Sequence, residues 1–160
     1  MKIAIVFYSF SGNTRKACKF LKGQLSASHE VELLELMLKE PERSFFRQGK
    51  AAFLQHTPEL VNHCDVSKYD FVVLASPVWA FTFAPALRTF LKVAGGLENK
   101  KTAVFVTCGS AFPGGRALEK FKNVVLEKKV QVRFSKCLIG DKTDNQKYLD
   151  DAFKDLLSAL

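Results

Sequence analysis

The chain has 160 residues, of which 48% are hydrophobic and 25% are charged, and this length allows one compact domain with a substantial core. No apolar run is long enough to span a membrane, and Met1 is not followed by the long apolar region of a secretory signal. We therefore expect a single cytoplasmic domain over residues 1–160.

The formal net charge is +8, and it is unevenly distributed along the chain. Residues 1–80 contain 10 Lys and Arg against 8 Asp and Glu, whereas residues 81–160 contain 14 against 8. A basic second half suits an anionic ligand or a nucleic-acid surface, but scattered, solvated lysines would produce the same balance. The basic residues form no run interleaved with aromatic residues, and the chain contains no recognised nucleic-acid motif.

Five segments have the apolar or alternating pattern of β-strands. The second segment alternates glutamate with apolar residues, which is typical of a half-exposed edge strand. The third segment contains the uninterrupted apolar run Phe71–Ala75, which is typical of a buried parallel strand. The predicted strands lie at about 2–8, 30–37, 70–76, 102–107 and 130–138.

Helical periodicity separates these strands and also follows the last one. Pro85 suits the first turn of a helix, because its missing N–H would have no intrahelical partner there. Thr143 and Gln146 have the spacing of a capping box, which would open the last helix. Besides the helix that Pro85 opens and the last helix, helices are predicted at about 13–27, 43–54 and 115–128. The helix at about 43–54 would be a crossover between parallel strands.

This alternation of strands and helices predicts an α/β fold, a doubly wound parallel sheet with helices on both faces. In such sheets, ligands bind at the carboxyl ends of the strands, where the strand order reverses. The segments after the first, third and fourth strands should therefore be unusual if the protein binds a ligand.

The first of these segments combines hydroxyl groups, one glycine and one amide directly before a predicted helix. The first N–H groups of a helix have no intrahelical partner, and the helix dipole is positive there, so the segment suits an anion. It contains no lysine or arginine, and it matches neither the G-x-x-x-x-G-K-[ST] phosphate loop nor the G-x-G-x-x-G dinucleotide motif. A capped helix start without any ligand remains the alternative. The residues are Ser9, Phe10, Ser11, Gly12, Asn13 and Thr14.

The other two segments are rich in aromatic residues and in glycine. The segment after the third strand contains the only tryptophan of the chain, Trp79. The segment after the fourth strand contains Gly109, Gly114 and Gly115, which would let the backbone approach a flat ligand closely. Both segments are predicted to flank a ligand; a packed lid and a plain turn before a helix are the alternatives.

The three segments together resemble the flavodoxin-like family of FMN-binding proteins. Ser9–Thr14 is similar to the family's phosphate loop, T/S-x-T/S-G-x-T. Ser76–Trp79 followed by Ala84–Leu91 is similar to the segment S-P-V/I-W/Y-x-G-x-x-A-P-x-x-R/K-x-F-L. The resemblance covers nearly the whole chain, and it implies a five-stranded, three-layer α/β/α fold with strand order 2-1-3-4-5 and FMN bound noncovalently.

The resemblance also implies a role for each segment. Ser9–Thr14 would hold the FMN phosphate, and the other two segments would lie on either side of the isoalloxazine ring. The implied ring contacts are Pro77, Val78, Trp79, Ala80 and Phe81 on one side, and Cys108, Gly109, Ser110, Phe112 and Gly115 on the other.

Two departures from the family bear on function. Phe81 stands where relatives usually have glycine, so its side chain would crowd the ring, narrow access to it or supply a stacking surface. Electron-carrier flavodoxins are typically acidic, whereas this chain is basic. Positive charge near the ring would stabilise the anionic, fully reduced flavin and raise the reduction potential of the last one-electron step. A low-potential electron carrier is therefore the less natural role.

The resulting hypothesis is an FMN-binding electron-transfer protein, either a redox carrier or a small oxidoreductase that reduces a quinone-like or other acceptor. Its donor, its acceptor and its oligomeric state are left open. The substitution at Phe81 leaves open a binding module that has lost FMN, and the basic half leaves open an anion- or nucleic-acid-binding protein.

Neither a catalytic residue nor a metal site is predicted. The three histidines fall in segments expected to be solvated. The cysteines form no C-x-x-C pair, so reduced and mostly buried thiols are expected. Cys108 is expected in a packing role, with a redox role beside the ring as the alternative. These cysteines are Cys18, Cys64, Cys108 and Cys137.

Overall fold

A twisted sheet of five long parallel strands forms the middle layer of the protein in the computed structural model, which describes residues 1–40, 57–62, 65–109 and 111–160. The long strands are hydrogen-bonded in the order β2-β1-β3-β5-β6, and the short β4 pairs with β3 in the antiparallel direction. Counted without β4, this is the predicted order 2-1-3-4-5, and the predicted α/β fold is confirmed. The strands are β1 (Lys2–Phe7), β2 (Glu30–Glu35), β3 (Phe71–Trp79), β4 (Thr82–Phe83), β5 (Lys101–Cys108) and β6 (Gln131–Ile139).

Four α-helices in the described part of the chain cover the two faces of this sheet. A short 3₁₀ helix, Gly140–Lys142, follows β6. The predicted crossover helix at about 43–54 lies outside the described residues, as does Cys64. The helices are α1 (Asn13–Leu25), α2 (Pro85–Val93), α3 (Ala111–Leu126) and α4 (Gln146–Ser158).

Side chains on alternate positions of the central strands build two separate hydrophobic layers. In β1, Ile3 and Ile5 pack with α1 and α4, whereas Ala4 and Val6 pack with α2 and α3. Phe153 of α4 is fully buried, and burial of such a side chain contributes about 1.5–3 kcal/mol. The sheet is thereby fixed between two helical layers, and the loops at its ends are left to carry other functions.

The glutamates of β2 alternate toward solvent, and β2 lies at one edge of the sheet. The prediction of a half-exposed edge strand is therefore confirmed. Strand β2 pairs with β1 in the parallel direction along its whole length, from Glu30 opposite Lys2 to Glu35 opposite Phe7.

The third strand is longer than predicted, because it continues through Pro77, Val78 and Trp79. Pro77 pairs in register with Thr107 of β5, and the last two residues pair with β4. The expectation of a loop after residue 76 is wrong: the chain makes a tight β-hairpin there. Pairing with β5 and then with β4 keeps this backbone extended.

Two predicted helix starts also need correction. Helix α3 begins at Ala111 rather than near residue 115, so much of the expected glycine-rich loop is its first turn. The last helix is capped by Asn145, whose side chain accepts a hydrogen bond from the Tyr148 N–H at 3.0 Å. Thr143 does not cap it, because its hydroxyl donates to the Gly140 carbonyl in the preceding 3₁₀ turn.

Candidate functional site

Segments at the carboxyl ends of four parallel strands line one cavity of about 160 Å³. This is the edge of the sheet where α/β proteins bind ligands, because the strand order reverses between β1 and β3. The lining residues are Phe10, Ser11, Asn13, Pro77, Val78, Trp79, Thr107, Cys108, Gly109, Gly140 and Asp141.

Half of the residues singled out in the sequence for a ligand site, eight of sixteen, meet in this cavity. Thr107, Gly140 and Asp141 line it too, although no sequence motif marks them. Gly140 and Asp141 directly follow the last strand. Because ligands of such sheets bind at the carboxyl ends of the strands, that position is the signal that points to them. The structure thus adds a fourth segment to the three expected ones.

The remaining selected residues lie beside the cavity or beyond it. Ser9, Gly12 and Thr14 belong to the first segment without lining the cavity, and Gly115 is an exposed residue of α3. Ser110 and the side chain of Phe112 lie outside the described residues. Ala80 and Phe81 form the hairpin turn next to Trp79.

The segment between β1 and α1 is shaped to present backbone N–H groups. Gly12 precedes the helix with a φ of +97°, a left-handed conformation that favours glycine. The Ser9 hydroxyl oxygen accepts from the Arg15 N–H at 3.2 Å, whereas the N–H groups of Asn13 and Thr14 lie in the first turn, where a helix supplies no partner. An anion is therefore favoured at this point.

A buried hydrogen bond ties this segment to β5. The hydroxyl groups of Thr14 and Thr107 are 2.8 Å apart, and both side chains are buried. The Thr14 side chain therefore joins two walls of the cavity. This contact accounts for a threonine at the end of the segment without any ligand.

The basic residues of the first turn of α1 are held away from the cavity by carboxylates. Arg15 forms a two-nitrogen ion pair with Glu35, with distances of 2.5 and 2.9 Å, and this contact raises the pKa of the guanidinium above its ordinary value. The Lys16 ammonium lies 2.6 Å from Asp144. The donors that remain at the helix start are uncharged.

The cavity is also not basic as a whole. Its described lining contains the carboxylate of Asp141 and neither lysine nor arginine. The expected positive charge around the ring is therefore not found in these residues, although the chain carries a net +8. The lysines and arginines of the described residues lie outside this lining.

One wall of the cavity is aromatic and firmly held. Trp79 is 4% exposed, and its ring meets that of Phe10 edge-on, with 5.1 Å between the centroids. The buried Ser76 hydroxyl accepts from the Ala84 N–H at 2.8 Å and donates to the Pro77 carbonyl at 2.9 Å. The hairpin that carries Trp79 is thus fastened to the start of α2.

The turn of that hairpin has an unfavourable backbone conformation. Ala80 and Phe81 have φ values of +43° and +62°. A two-residue hairpin turn requires such positive values, which residues other than glycine rarely adopt. Glycine at the position of Phe81 in relatives is explained by this conformation. The Phe81 side chain is 50% exposed, so it places an aromatic surface beside the cavity.

Comparison with known proteins identifies the family. Residues 1–144 match the family model described as NADPH-dependent FMN reductase. The chain belongs to this family. No match to a curated protein was found.

Solved structures share the fold over almost the entire chain. A flavoprotein from Lactobacillus acidophilus NCFM, crystallised with FMN, is 21% identical with a TM-score of 0.69, over 91% of this chain and 98% of that one. Flavodoxin 2 from Bacillus cereus, in its oxidised form, is 20% identical with a TM-score of 0.65 and full coverage of both chains. The azoreductase AzrA is 15% identical with a TM-score of 0.64, again over both full chains.

Membership of the FMN reductase family makes FMN the cofactor and electron transfer the function of this protein. The cavity fits this cofactor chemically: the left-handed glycine and helix N-terminus beside it suit an anion, and Trp79 and Gly109 offer surfaces for a flat ring. A cavity of about 160 Å³ is smaller than typical small-molecule pockets, so a flavin would remain partly in solvent. None of the described helices has the length and apolar character needed to cross a membrane.

Proposed function

We propose that this protein is an NADPH-dependent oxidoreductase that holds FMN in the carboxyl-end cavity and reduces small acceptors. The observation that carries the proposal is the meeting of an uncharged helix N-terminus with a buried aromatic wall in one open cavity. Because the cavity is open, a small molecule would reach the exposed part of a bound flavin.

The phosphate would be held by the segment before α1. Ser11 and Asn13 line the cavity, and the N–H groups of the first turn of α1 lie in the same segment. A helix dipole contributes about 0.3–1 kcal/mol to each favourable charge, and up to about 2 kcal/mol in partly buried sites. Arg15 and Lys16 are paired with the carboxylates of Glu35 and Asp144. Neutral donors would therefore provide most of the recognition of the phosphate.

The isoalloxazine ring would lie between the Trp79 wall and the segment from Cys108 to Gly109. These residues would orient the ring and exclude water from its buried face, while Asp141 would disfavour excess negative charge nearby. FMN, when bound, supplies the chemistry of accepting a hydride and passing on electrons. No protein side chain is required to donate a proton in this scheme.

The first test measures the binding of FMN and of riboflavin to the flavin-free protein, by absorption spectroscopy and calorimetry. Ser11→Ala should weaken FMN by about 10- to 100-fold, because a hydrogen bond to a charged group contributes about 1.5–3 kcal/mol, and it should leave riboflavin unchanged. Ser28→Ala is the matched control, since Ser28 is exposed beyond the other end of α1. Equal weakening of both flavins would contradict the assignment of the phosphate site.

The second test separates an enzyme from a carrier. Under anaerobic conditions, NADPH should bleach the flavin absorption, and a quinone added in excess should be reduced over many turnovers. A redox carrier is the second candidate, favoured by the full-length likeness to Flavodoxin 2. A flavin that binds but is not reduced by NADPH would support the carrier and overturn the oxidoreductase.

A further inference from the structure

Cys108 and Cys137 lie far apart in the sequence but side by side in the structure. Their sulfur atoms are 3.1 Å apart, and neither cysteine is part of a disulfide. We propose that they form a reversible disulfide, a two-electron redox site made of the protein's own side chains and distinct from the flavin.

The register of the sheet creates this pair. Cys108, at the end of β5, pairs with Ile139, and Cys137 pairs with Val106. The two cysteines are therefore two positions apart on neighbouring strands, and they project from the same face because side chains alternate along a strand. A disulfide bond is about 2.05 Å long, so closure needs the sulfurs to approach by about 1 Å. The ends of β5 and β6 must also move slightly, because diagonal neighbours on adjacent strands have Cα atoms about 7–8 Å apart.

Helix α3 leaves space for the two sulfur atoms at Gly114. A Cβ atom at this position would collide with the sulfurs of both Cys108 and Cys137. The pair is therefore packed against a residue without a side chain, in a part of α3 where any larger residue would push the sulfurs away. Gly115, the next residue, has open space around its Cα position.

An oxidant would reach the pair from the cavity while FMN is absent, because the ring proposed above would lie against Cys108. Cys108 lines the cavity with 6% of its surface exposed, and Cys137 is partly exposed. Cys18 offers a contrast, because it is completely buried and burial raises the pKa of its thiol well above the ordinary value. A thiol needs access and thiolate character to react, so Cys18 is expected to stay inert.

The proposed oxidant is a small-molecule disulfide, and the reaction takes two exchange steps. The Cys108 thiolate attacks one sulfur of that molecule; its S–S bond breaks, one thiol leaves, and a mixed disulfide remains on Cys108. The Cys137 thiolate then attacks the Cys108 sulfur, and the second small thiol leaves. The protein loses two electrons and two protons, and the small disulfide gains them.

The experiment treats the purified, flavin-free protein with 2-hydroxyethyl disulfide and follows intact mass and non-reduced peptide maps. We expect a mass lower by two hydrogen atoms, a peptide that links Cys108 to Cys137, and full reversal by dithiothreitol. Cys137→Ser should stop at the mixed disulfide on Cys108. Cys18→Ser and Cys64→Ser should form the linked peptide like the unaltered chain.

Gly114→Ala tests the packing directly, with Gly115→Ala as the control for the added methyl group. The first variant should form the linkage at least about tenfold more slowly, because the sulfurs lose their close approach, and the second should match the unaltered chain. A linkage through Cys64, a covalent dimer, or unlinked thiols in the unaltered protein would overturn the proposal. The Cys137→Ser result decides the matter even if Gly114→Ala does not fold.

Discussion

The two ends of the parallel sheet are both rich in polar groups, but they use them differently. At the amino end, the groups satisfy one another: the Tyr69 hydroxyl donates to Glu32, the Lys2 N–H donates to Asp70 at 2.7 Å, and the Lys100 ammonium donates to the Ser67 carbonyl at 3.0 Å. At the carboxyl end, hydroxyl and backbone groups instead face a common cavity.

This difference separates stability from function within one fold. Polar groups that are already paired gain little from a ligand, whereas groups that a helix terminus leaves without an internal partner can bind one. Changes at the amino end should therefore lower stability without affecting FMN. Changes at the carboxyl end should affect both, and each prediction below tests that separation.

The largest effect is expected from a pair of glycines, one at each end. Gly96, at the amino end, has a φ of +77°, and a Cβ there would lie 2.5 Å from the Ser67 Cα. Gly96→Ala should cost at least about 2 kcal/mol, since the left-handed conformation alone costs an L-residue about 1–2 kcal/mol. Gly12 also has a positive φ but has nothing within 4 Å of a Cβ, so Gly12→Ala should cost about 1 kcal/mol.

Urea unfolding and FMN titration of both variants provide the measurement. Gly12→Ala should weaken FMN about tenfold or more, because a shift toward negative φ would move the N–H groups of the first helical turn. Gly96→Ala should leave the affinity for FMN unchanged. The comparison fails if the amino-end variant loses FMN while remaining folded.

The next largest effect concerns Ser76, which fastens the Trp79 hairpin. Ser76→Ala leaves the buried Ala84 N–H without its acceptor, and we expect a loss of about 1–3 kcal/mol in the free energy of unfolding. The exposed Ser135 on β6 is the control, and its alanine variant should stay within about 0.5 kcal/mol of the unaltered chain. FMN should also bind more weakly to the Ser76 variant; an unchanged affinity would show that the hairpin does not need this anchor.

A smaller effect is expected at the amino end, from the hydrogen bond between Tyr69 and Glu32. Tyr69→Phe should cost about 0.5–1 kcal/mol at neutral pH, because the Glu32 side chain is 51% exposed and solvent weakens the interaction. FMN affinity should not change. Chemical denaturation at several pH values measures the cost.

The pH dependence of that cost has a definite sign. Hydrogen bonding to Tyr69 lowers the pKa of Glu32 below its ordinary 4.5, so the stabilisation is present above pH 4.5 and is lost as the pH falls through the lowered value. Burial and the contact with Glu32 raise the pKa of Tyr69 above 10.0, so stabilisation is also lost at still higher pH. If the difference in the free energy of unfolding between the unaltered chain and Tyr69→Phe grew at acid pH, this assignment would be contradicted.

The smallest effect is a gain in stability at the hairpin turn. Phe81→Gly should relieve the positive φ and stabilise the protein by about 1 kcal/mol, which raises Tm by about 2–4 °C for a domain of this size. Phe81→Ala is the matched control, because it removes the ring but keeps the strained backbone. If the ring stacks on FMN, both variants should bind the flavin more weakly; unchanged binding in both would remove Phe81 from the site.

Local patterns in the sequence predicted much of the fold and most of the cavity. Apolar periodicity placed the five long strands, and the glutamates of β2 predicted its exposed edge. The hairpin after Trp79 was missed, because Ala80 and Phe81 are not the asparagine and glycine that usually signal such a turn. The cap at Asn145 was missed because the 3₁₀ turn after β6 engages Thr143.

Neighbouring residues along the chain are enough to form a strand, a helix or a glycine turn. For that reason the amino-acid sequence alone determines the order of elements and the glycine turn before α1. Contacts between distant segments depend on the strand register and on which helix covers which face. The pairing of Arg15 with Glu35, the meeting of Thr14 with Thr107 and the proximity of Cys108 to Cys137 all arise in this way. Packing of the two hydrophobic layers sets that register, because a shift by one residue would turn every buried side chain of a strand to the opposite face.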